Sequence, residues 1–157
     1  MLILGIDPGM ATTGYGLIKQ NKKGDGLLYV ACGVIKTPVG MEMGKRLKLL
    51  RRDLKKIIKS YSPDCSVLEQ LFFGRNAKTA MTVSQARGVI MLTMAESNLP
   101  LFEYQGLTVK KTLTQNGRAK KRQIQKTVRK ILKMRYLPRP DDAADALGMA
   151  IYHALKQ

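Results

Sequence analysis

Three apolar runs crowd into the start of this chain, while helix-length segments separate the two that follow. That order restricts the fold to a mixed sheet. Met1 to Ile6 is a continuous apolar run of the kind found in a buried strand, and Asp7-Pro8-Gly9 ends it with a turn. Thr13 to Lys19 and Leu27 to Lys36 read as two further strands joined by a polar hairpin loop, Gln20 to Gly26. A helix follows over Met43 to Ser60, with Leu47, Leu50, Leu54, Ile57 and Ile58 on one face and lysines and arginines on the other. Cys65 to Leu68 is a short buried strand ending at Glu69, and Asn76 to Asn98 is a long helix with apolar residues on more than one side. Pro100 to Tyr104 is a last strand. Basic helices span Leu107 to Thr114 and Ala119 to Met134, Tyr136 to Pro140 is a Pro-rich connector, and Asp142 to Leu155 is the final helix. Strands joined by short loops pair antiparallel, whereas strands joined through helices pair parallel. The expected class is α/β: a mixed sheet covered by helices, in one domain over residues 1–157, with no internal repeat and no linker.

The balance of charge narrows the partners. The chain carries 28 Lys plus Arg against 11 Asp plus Glu, a net +17. A field of that size attracts polyanions, and nucleic acid is the expected one. No Trp and no basic helix with a bulky aromatic face argue against membrane binding, and no run of 18 apolar residues predicts a membrane span. Two cysteines, Cys32 and Cys65, are too few for a cysteine zinc site and sit in apolar surroundings, as free thiols of a reducing compartment do. The start of the chain lacks the layout of a signal peptide, so a cytoplasmic location is expected.

Scarce acids stand out in so basic a chain. Asp25 and Asp64 fall in turns, and Glu42, Asp53 and Glu96 fall at or on helices where they can face water. Asp7 and Glu69 instead end buried strands, and ligands of sheets with a parallel core bind beyond those strand ends. Asp142 and Asp145 are spaced i, i+3 and project from one side of the first turn of the last helix. Carboxylates buried near one another are costly unless a cation compensates, and carboxylate oxygens suit Mg²⁺ or Mn²⁺. Four such groups suit a pair of ions about 3.5–4 Å apart, the geometry of in-line phosphodiester displacement. Each acid also has a plainer reading. Asp before Pro-Gly is a turn former, and Asp141 or Asp142 is a helix cap.

No acid interrupts the stretch from Glu103 to Asp141, which holds twelve basic residues including Lys110, Arg118, Lys121 and Arg122. Such a run repels itself unless a polyanion lies against it. Phe72 and Phe73 lie in the loop after Glu69. Phe72 suits stacking on bases and Phe73 suits anchoring the loop to the core. His153, the sole histidine, reads as a surface or half-buried residue of the last helix. From these residues alone, a metal-dependent nuclease competes with a basic protein that binds nucleic acid without cutting it. A nucleotide-binding fold of the sugar-kinase type is too large for this length.

The ordered set Asp7-Pro8-Gly9, Thr13-Gly14-Tyr15-Gly16, Leu68-Glu69-Gln70 with Phe72, Gln85-Ala86-Arg87-Gly88-Val89, Phe102-Glu103-Tyr104, Val109-Lys110, Lys121 and Asp142-Ala143-Ala144-Asp145 resembles the RuvC family of Holliday-junction resolvases. The resemblance implies a ribonuclease H-like fold with a five-stranded mixed sheet. The first three strands are antiparallel, and the last two run parallel to the first. It implies a homodimer that nicks four-way DNA junctions symmetrically in recombination and repair, working with the branch-migration proteins RuvA and RuvB at the nucleoid. By match of motif it makes Asp7, Glu69, Asp142 and Asp145 catalytic ligands of two Mg²⁺ per subunit, with Mn²⁺ able to substitute. Phe72, Lys110, Lys121, Arg118 and Arg122 become DNA-binding residues, and the helix around Gln85 to Val89 a dimer contact. Two positions depart from the family pattern: Gln115 replaces the first glycine of Gly-x-Gly, and Asp141 adds an acid beside Asp142.

Overall fold

The computed structural model describes residues 1–21, 26–70 and 77–157, with residues 77–79 as backbone only. The middle of the expected hairpin loop and the Phe72 and Phe73 loop lie outside the described residues. The element order is β1 (Leu2–Asp7), β2 (Thr12–Gln20), β3 (Leu27–Lys36), α1 (Met43–Tyr61), β4 (Cys65–Gln70), α2 (Ala77–Glu96), β5 (Leu101–Gln105), α3 (Gly106–Thr114), α4 (Lys121–Ile131) and α5 (Asp141–Lys156). The strands form one sheet in the order β3-β2-β1-β4-β5. β1, β2 and β3 pair antiparallel, and β4 and β5 run parallel to β1, as the connection lengths dictate.

Alternation along the strands sorts the core into two halves. Leu4, Ile6, Leu17 and Leu68 face α1 and α2 and pack on Leu50, Leu54, Ala86, Ile90 and Met94. Ile3, Ile18, Cys65 and Val67 face the other way, onto Val109 of α3, Ile124 and Val128 of α4, and Leu147, Ala150 and Ile151 of α5. Each large side chain buried in this way contributes about 1.5–3 kcal/mol. Residues Ala146 to Ala154 of α5 are all buried, so this helix is a spine between sheet and helices rather than an amphipathic cover.

Glycines let that spine sit unusually low. Gly5 and Gly16 are opposite one another in the β1–β2 register, and Gly14 is opposite Asp7. A β-carbon on Gly5 would run into the Ala146 carbonyl and reach within 3.0 Å of the Ala150 nitrogen. One on Gly16 would lie 2.8 Å from the Leu147 nitrogen, and one on Gly14 would overlap the Asp142 carbonyl. The three form a smooth bed on which α5 rests backbone to backbone, with its first turn beside the end of β1.

Helix ends differ from the sequence expectation for a local reason. α4 stops at Ile131, not near Met134, because Lys133 adopts a left-handed conformation (φ 50°) and the Met134 N–H bonds back to the Arg129 carbonyl at 2.9 Å. α2 closes in the same way, with Asn98 at φ 49° and the Leu99 N–H on the Met94 carbonyl at 3.0 Å. His153 is a correction. It is buried, with its Nδ1 2.9 Å from the Tyr104 hydroxyl and its Nε2 3.7 Å from Cys65 Sγ. A helix enclosed on every side leaves even its polar residues inside. Among the described residues no helix is long and apolar enough to cross a membrane.

Candidate active site

The same alternation that sorts the core aims the acids. Ile3 and Gly5 face α5, so Asp7, two residues on, does too; Cys65 and Val67 face α5, so Glu69 does too. The β1–β4 register pairs Ile6 with Leu68, which makes Asp7 and Glu69 neighbours one step beyond it. The turn after Asp7 is closed by the buried Thr13, whose hydroxyl donates to the Gly9 carbonyl at 2.7 Å. α5, lowered onto the glycine bed, then sets Asp142 above Gly14, the residue paired with Asp7.

The electrostatics register this convergence. Asp7 is pushed up from 3.8 to about 9, first by burial and then by Glu69, Asp145 and Asp142, with a side-chain hydrogen bond shared with Glu69. Asp145 is also raised by burial, and Lys110 and Lys121 oppose the rise while Glu69 and Asp142 add to it. Glu69, Lys110 and Asp145 line one narrow crevice. Four of the acids thus share one place. A neighbouring cation is the ordinary remedy for such crowding, and all the donors are hard carboxylate oxygens, which fits Mg²⁺ or Mn²⁺. Among the described residues no three of them already stand as a closed ligand cage; in this arrangement Asp7 and Glu69 are turned to one another instead.

Basic groups rim the acids. Lys121, at the start of α4, donates to Asp141 Oδ2 at 2.6 Å, which raises Lys121 and lowers Asp141. Asp141 is therefore neither the helix cap, a place taken by Pro140, nor a bystander; it ties α4 to α5 at the edge of the site. Arg118 and Arg122 are exposed further out, on the loop before α4 and on its first turn. Gln115 takes the left-handed backbone (φ 58°, ψ 14°) that glycine adopts at no steric cost. Asn116 Oδ1 steadies the loop after it by accepting the Arg118 N–H at 2.9 Å. Phe72 falls outside the described residues.

Two residues that the sequence reading named only within the resemblance, with no role at the site, support it. The Arg87 guanidinium, on α2, donates to the Glu69 backbone carbonyl and pairs with Glu103 of β5, joining three elements directly behind Glu69. An arginine in an otherwise apolar and small stretch of helix was the available signal.

Comparison with known proteins agrees along the chain's length. The family profile for RuvC, crossover junction endodeoxyribonuclease, matches residues 3–153. The chain is 47% identical over 153 residues to the crossover junction endodeoxyribonuclease RuvC of Syntrophomonas wolfei, covering 98% of this chain and 88% of that one. It is 48% identical over 153 residues to the protein of the same name from Rubrobacter xylanophilus, covering 98% and 84%. Among solved structures, Thermus thermophilus RuvC superposes with a TM-score of 0.87 at 30% identity, covering 98% of this chain and 93% of that one. The same enzyme in complex with a Holliday junction substrate gives 0.87 at 27%, with the same coverage. The fowlpox virus Holliday junction resolvase shares the fold, with a TM-score of 0.63 at 14% identity over the full length of both chains.

Proposed function

This chain belongs to the RuvC family of crossover junction endodeoxyribonucleases, and from that premise we propose how its residues divide the work. It is a metal-dependent endonuclease of ribonuclease H-like fold that resolves Holliday junctions in DNA recombination and repair. Residues 1–157 act as one nuclease domain. The observation that carries the assignment of residues is the crowding at Asp7, whose carboxyl is raised first by burial and then by three other acids drawn from β4 and α5.

Asp7, Glu69, Asp142 and Asp145 are the residues proposed to hold two Mg²⁺ ions, with Mn²⁺ able to substitute. The chemistry such ions would supply, when bound, is activation of an attacking water and compensation of charge on the departing oxygen. The chain's own contribution is positional. The strand ends fix Asp7 and Glu69, and α5 fixes the other two acids without loops. Lys110 and Lys121 stand at the edge of the carboxylates, where they attract the phosphate and offset charge that grows on its oxygens. Arg118 and Arg122 hold the strand further out, and Phe72 is assigned to stacking at the open centre of the junction. The direct test is a four-way junction assay with and without Mg²⁺. Two symmetric nicks in the presence of the ion, and none after chelation, are expected. Cleavage undiminished by chelation would sink the ligand assignment.

A second copy of the chain is the proposed protein partner. α2 exposes Met81, Gln85, Gly88 and Leu92, a stripe at helical spacing with Met91 exposed beside it, while Ala86, Ile90, Thr93 and Met94 enter the core. Nothing lies within 4 Å of a β-carbon placed on Gly88, so a second helix has room to approach closely. Dimer symmetry would match the near-twofold junction and place one site on each of two strands. Leu92→Asp is expected to shift the protein to monomer in sedimentation and to cut paired nicking about tenfold or more, a desolvated charge at an interface costing about 1.4 kcal/mol or more. RuvA and RuvB, and work at the bacterial nucleoid, complete the proposed setting.

A further inference from the structure

Glu69 is gripped from both faces of the sheet. On the α2 face, the Arg87 guanidinium divides its two ends between neighbouring strands: Nη1 donates to the Glu69 backbone carbonyl and Nη2 to the Glu103 carboxylate. Glu103 is the register partner of Leu68, so it leaves β5 on the face that Leu68 packs toward α1 and α2. The Arg87 side chain is 12% exposed, too shielded for the pair to be one of the surface ion pairs that contribute nothing. On the α5 face, the Glu69 carboxylate lies against Gly106, the first residue of α3. A β-carbon on Gly106 would overlap Glu69 Oε1 and stand 2.8 Å from its Cδ. Gly106 comes directly after β5, which ends at Gln105 and carries Glu103.

The two grips close a ring. It runs from the Glu69 carbonyl through Arg87 to Glu103, along the end of β5 to Gly106, and back to the Glu69 carboxylate. Resting on the ligand assignment above, we infer that Arg87 and Gly106 are positioning residues that fix where Glu69 presents its carboxylate to a divalent ion. Neither is itself a ligand. An arginine suits the place because its planar fork reaches two acceptors at once, whereas a lysine ammonium is a single point of charge. A glycine suits the other place because any side chain would occupy the space of the carboxylate. The β4–β5 ladder, from Ser66 with Leu101 to Gln70 with Gln105, joins the strands without help from Arg87. What Arg87 adds is a fixed distance between the backbone of Glu69 and the seat of its side chain. A shift of about 1 Å there is enough to spoil a reacting geometry. Groups that orient metal ligands from behind are commonly worth about 10–100-fold in metal affinity or activity.

The test is Mn²⁺ binding to the full chain without DNA, read from the paramagnetic resonance signal of the free ion. Arg87→Gln and Gly106→Ala are each expected to weaken binding about tenfold or more, with Arg87→Lys in between. Removing a positive charge would by itself favour a cation, so a loss in Arg87→Gln reports position and not charge. Glu96→Gln, which removes an acid paired with Arg51 and Lys55, should bind Mn²⁺ as wild type does. Junction affinity without divalent ions should be unchanged in every variant, and excess Mg²⁺ should restore part of the cleavage that Arg87→Gln loses. An Arg87 that only holds the fold together would lower the melting temperature and leave Mn²⁺ binding untouched. That result, or a Gly106→Ala variant that binds Mn²⁺ as tightly as wild type, overturns the inference. Should Arg87→Gln fail to fold, Arg87→Lys keeps charge and bulk and decides in its place: Mn²⁺ binding equal to wild type is then fatal. Wild type that takes up no Mn²⁺ removes the ligand assignment of Glu69 and this inference with it. Wild type that binds Mn²⁺, with the variants unaffected, removes this inference alone.

Discussion

Asp7→Asn is expected to abolish cleavage, by about three orders of magnitude or more, while junction binding persists and the folded protein becomes more stable. Loss of one carboxylate from the set removes several kcal/mol of transition-state stabilisation if it holds the ions. Binding persists because the basic residues of α3, α4 and their loops are untouched. The gain in stability follows from the crowding. In the folded, metal-free chain Asp7 keeps its proton up to about pH 9, whereas the unfolded chain releases it near 3.8. The folded state therefore binds more protons between those values, and its stability falls as pH rises from about 4 to about 9. Asparagine has no proton to lose and removes that slope. At neutral pH without divalent ions the variant should melt about 2–8 °C higher, equivalent to about 1–2 kcal/mol at this size. Thermal melts of both proteins at pH 5, 7 and 8.5, with a chelator present, give the comparison. A variant that melts lower than wild type at every pH would show that Asp7 is not under electrostatic strain. For wild type, added Mg²⁺ should raise the melting temperature and release protons on binding, because ligands must give them up.

Gly5→Ala should cost the protein its fold or at least about 3 kcal/mol. The added methyl group meets the backbone of α5, the Ala146 carbonyl and the Ala150 nitrogen, not the end of a side chain that can turn away. Relief requires lifting the whole helix, which opens the core around Leu147 and Ile151 and also moves Asp142 and Asp145 away from Asp7. Gly16→Ala should behave alike, since its methyl would press on Leu147 backbone and side chain. Gly88→Ala is the control: its methyl meets nothing in the subunit, and a residue of better helix propensity should leave the monomer fold intact. Urea unfolding of the three variants, with activity measured in parallel, separates the outcomes. Stability equal to wild type for Gly5→Ala would mean that the helix does not lie on the sheet as described.

Strand content and strand direction were readable because connection length dictates direction: a short loop after β1 and β2 forces antiparallel pairing, and helices before β4 and β5 force parallel pairing. The acids that converge at the candidate site stood out in sequence because Asp7 and Glu69 interrupt apolar runs in a chain with few acids. The glycines at 5, 14 and 16 were visible, but their role was not, since it depends on which helix arrives above them from far along the chain. Asp141 was ambiguous for the same reason. Its partner Lys121 lies on another helix, and local spacing offers a cap as readily as an ion pair. His153 was misjudged because the helical pattern gives one buried face, while α5 is covered by the sheet, α3 and α4 together. The basic helix was drawn too long because a lysine in a left-handed conformation gives no compositional warning of a helix end.

The carboxylate set draws on β1 and on α5, the first and the last of the described elements. A ribosome that has synthesised everything up to Pro140 has laid down a sheet with a bare glycine strip and half the acids. Such a fragment lacks the helix at the centre of one half of its core and two of the four proposed ligands, so stalled or clipped products are expected not to cut DNA. Assembly and chemical competence are thereby joined: the proposed four-acid site comes together only once α5 has been made and has settled on the sheet.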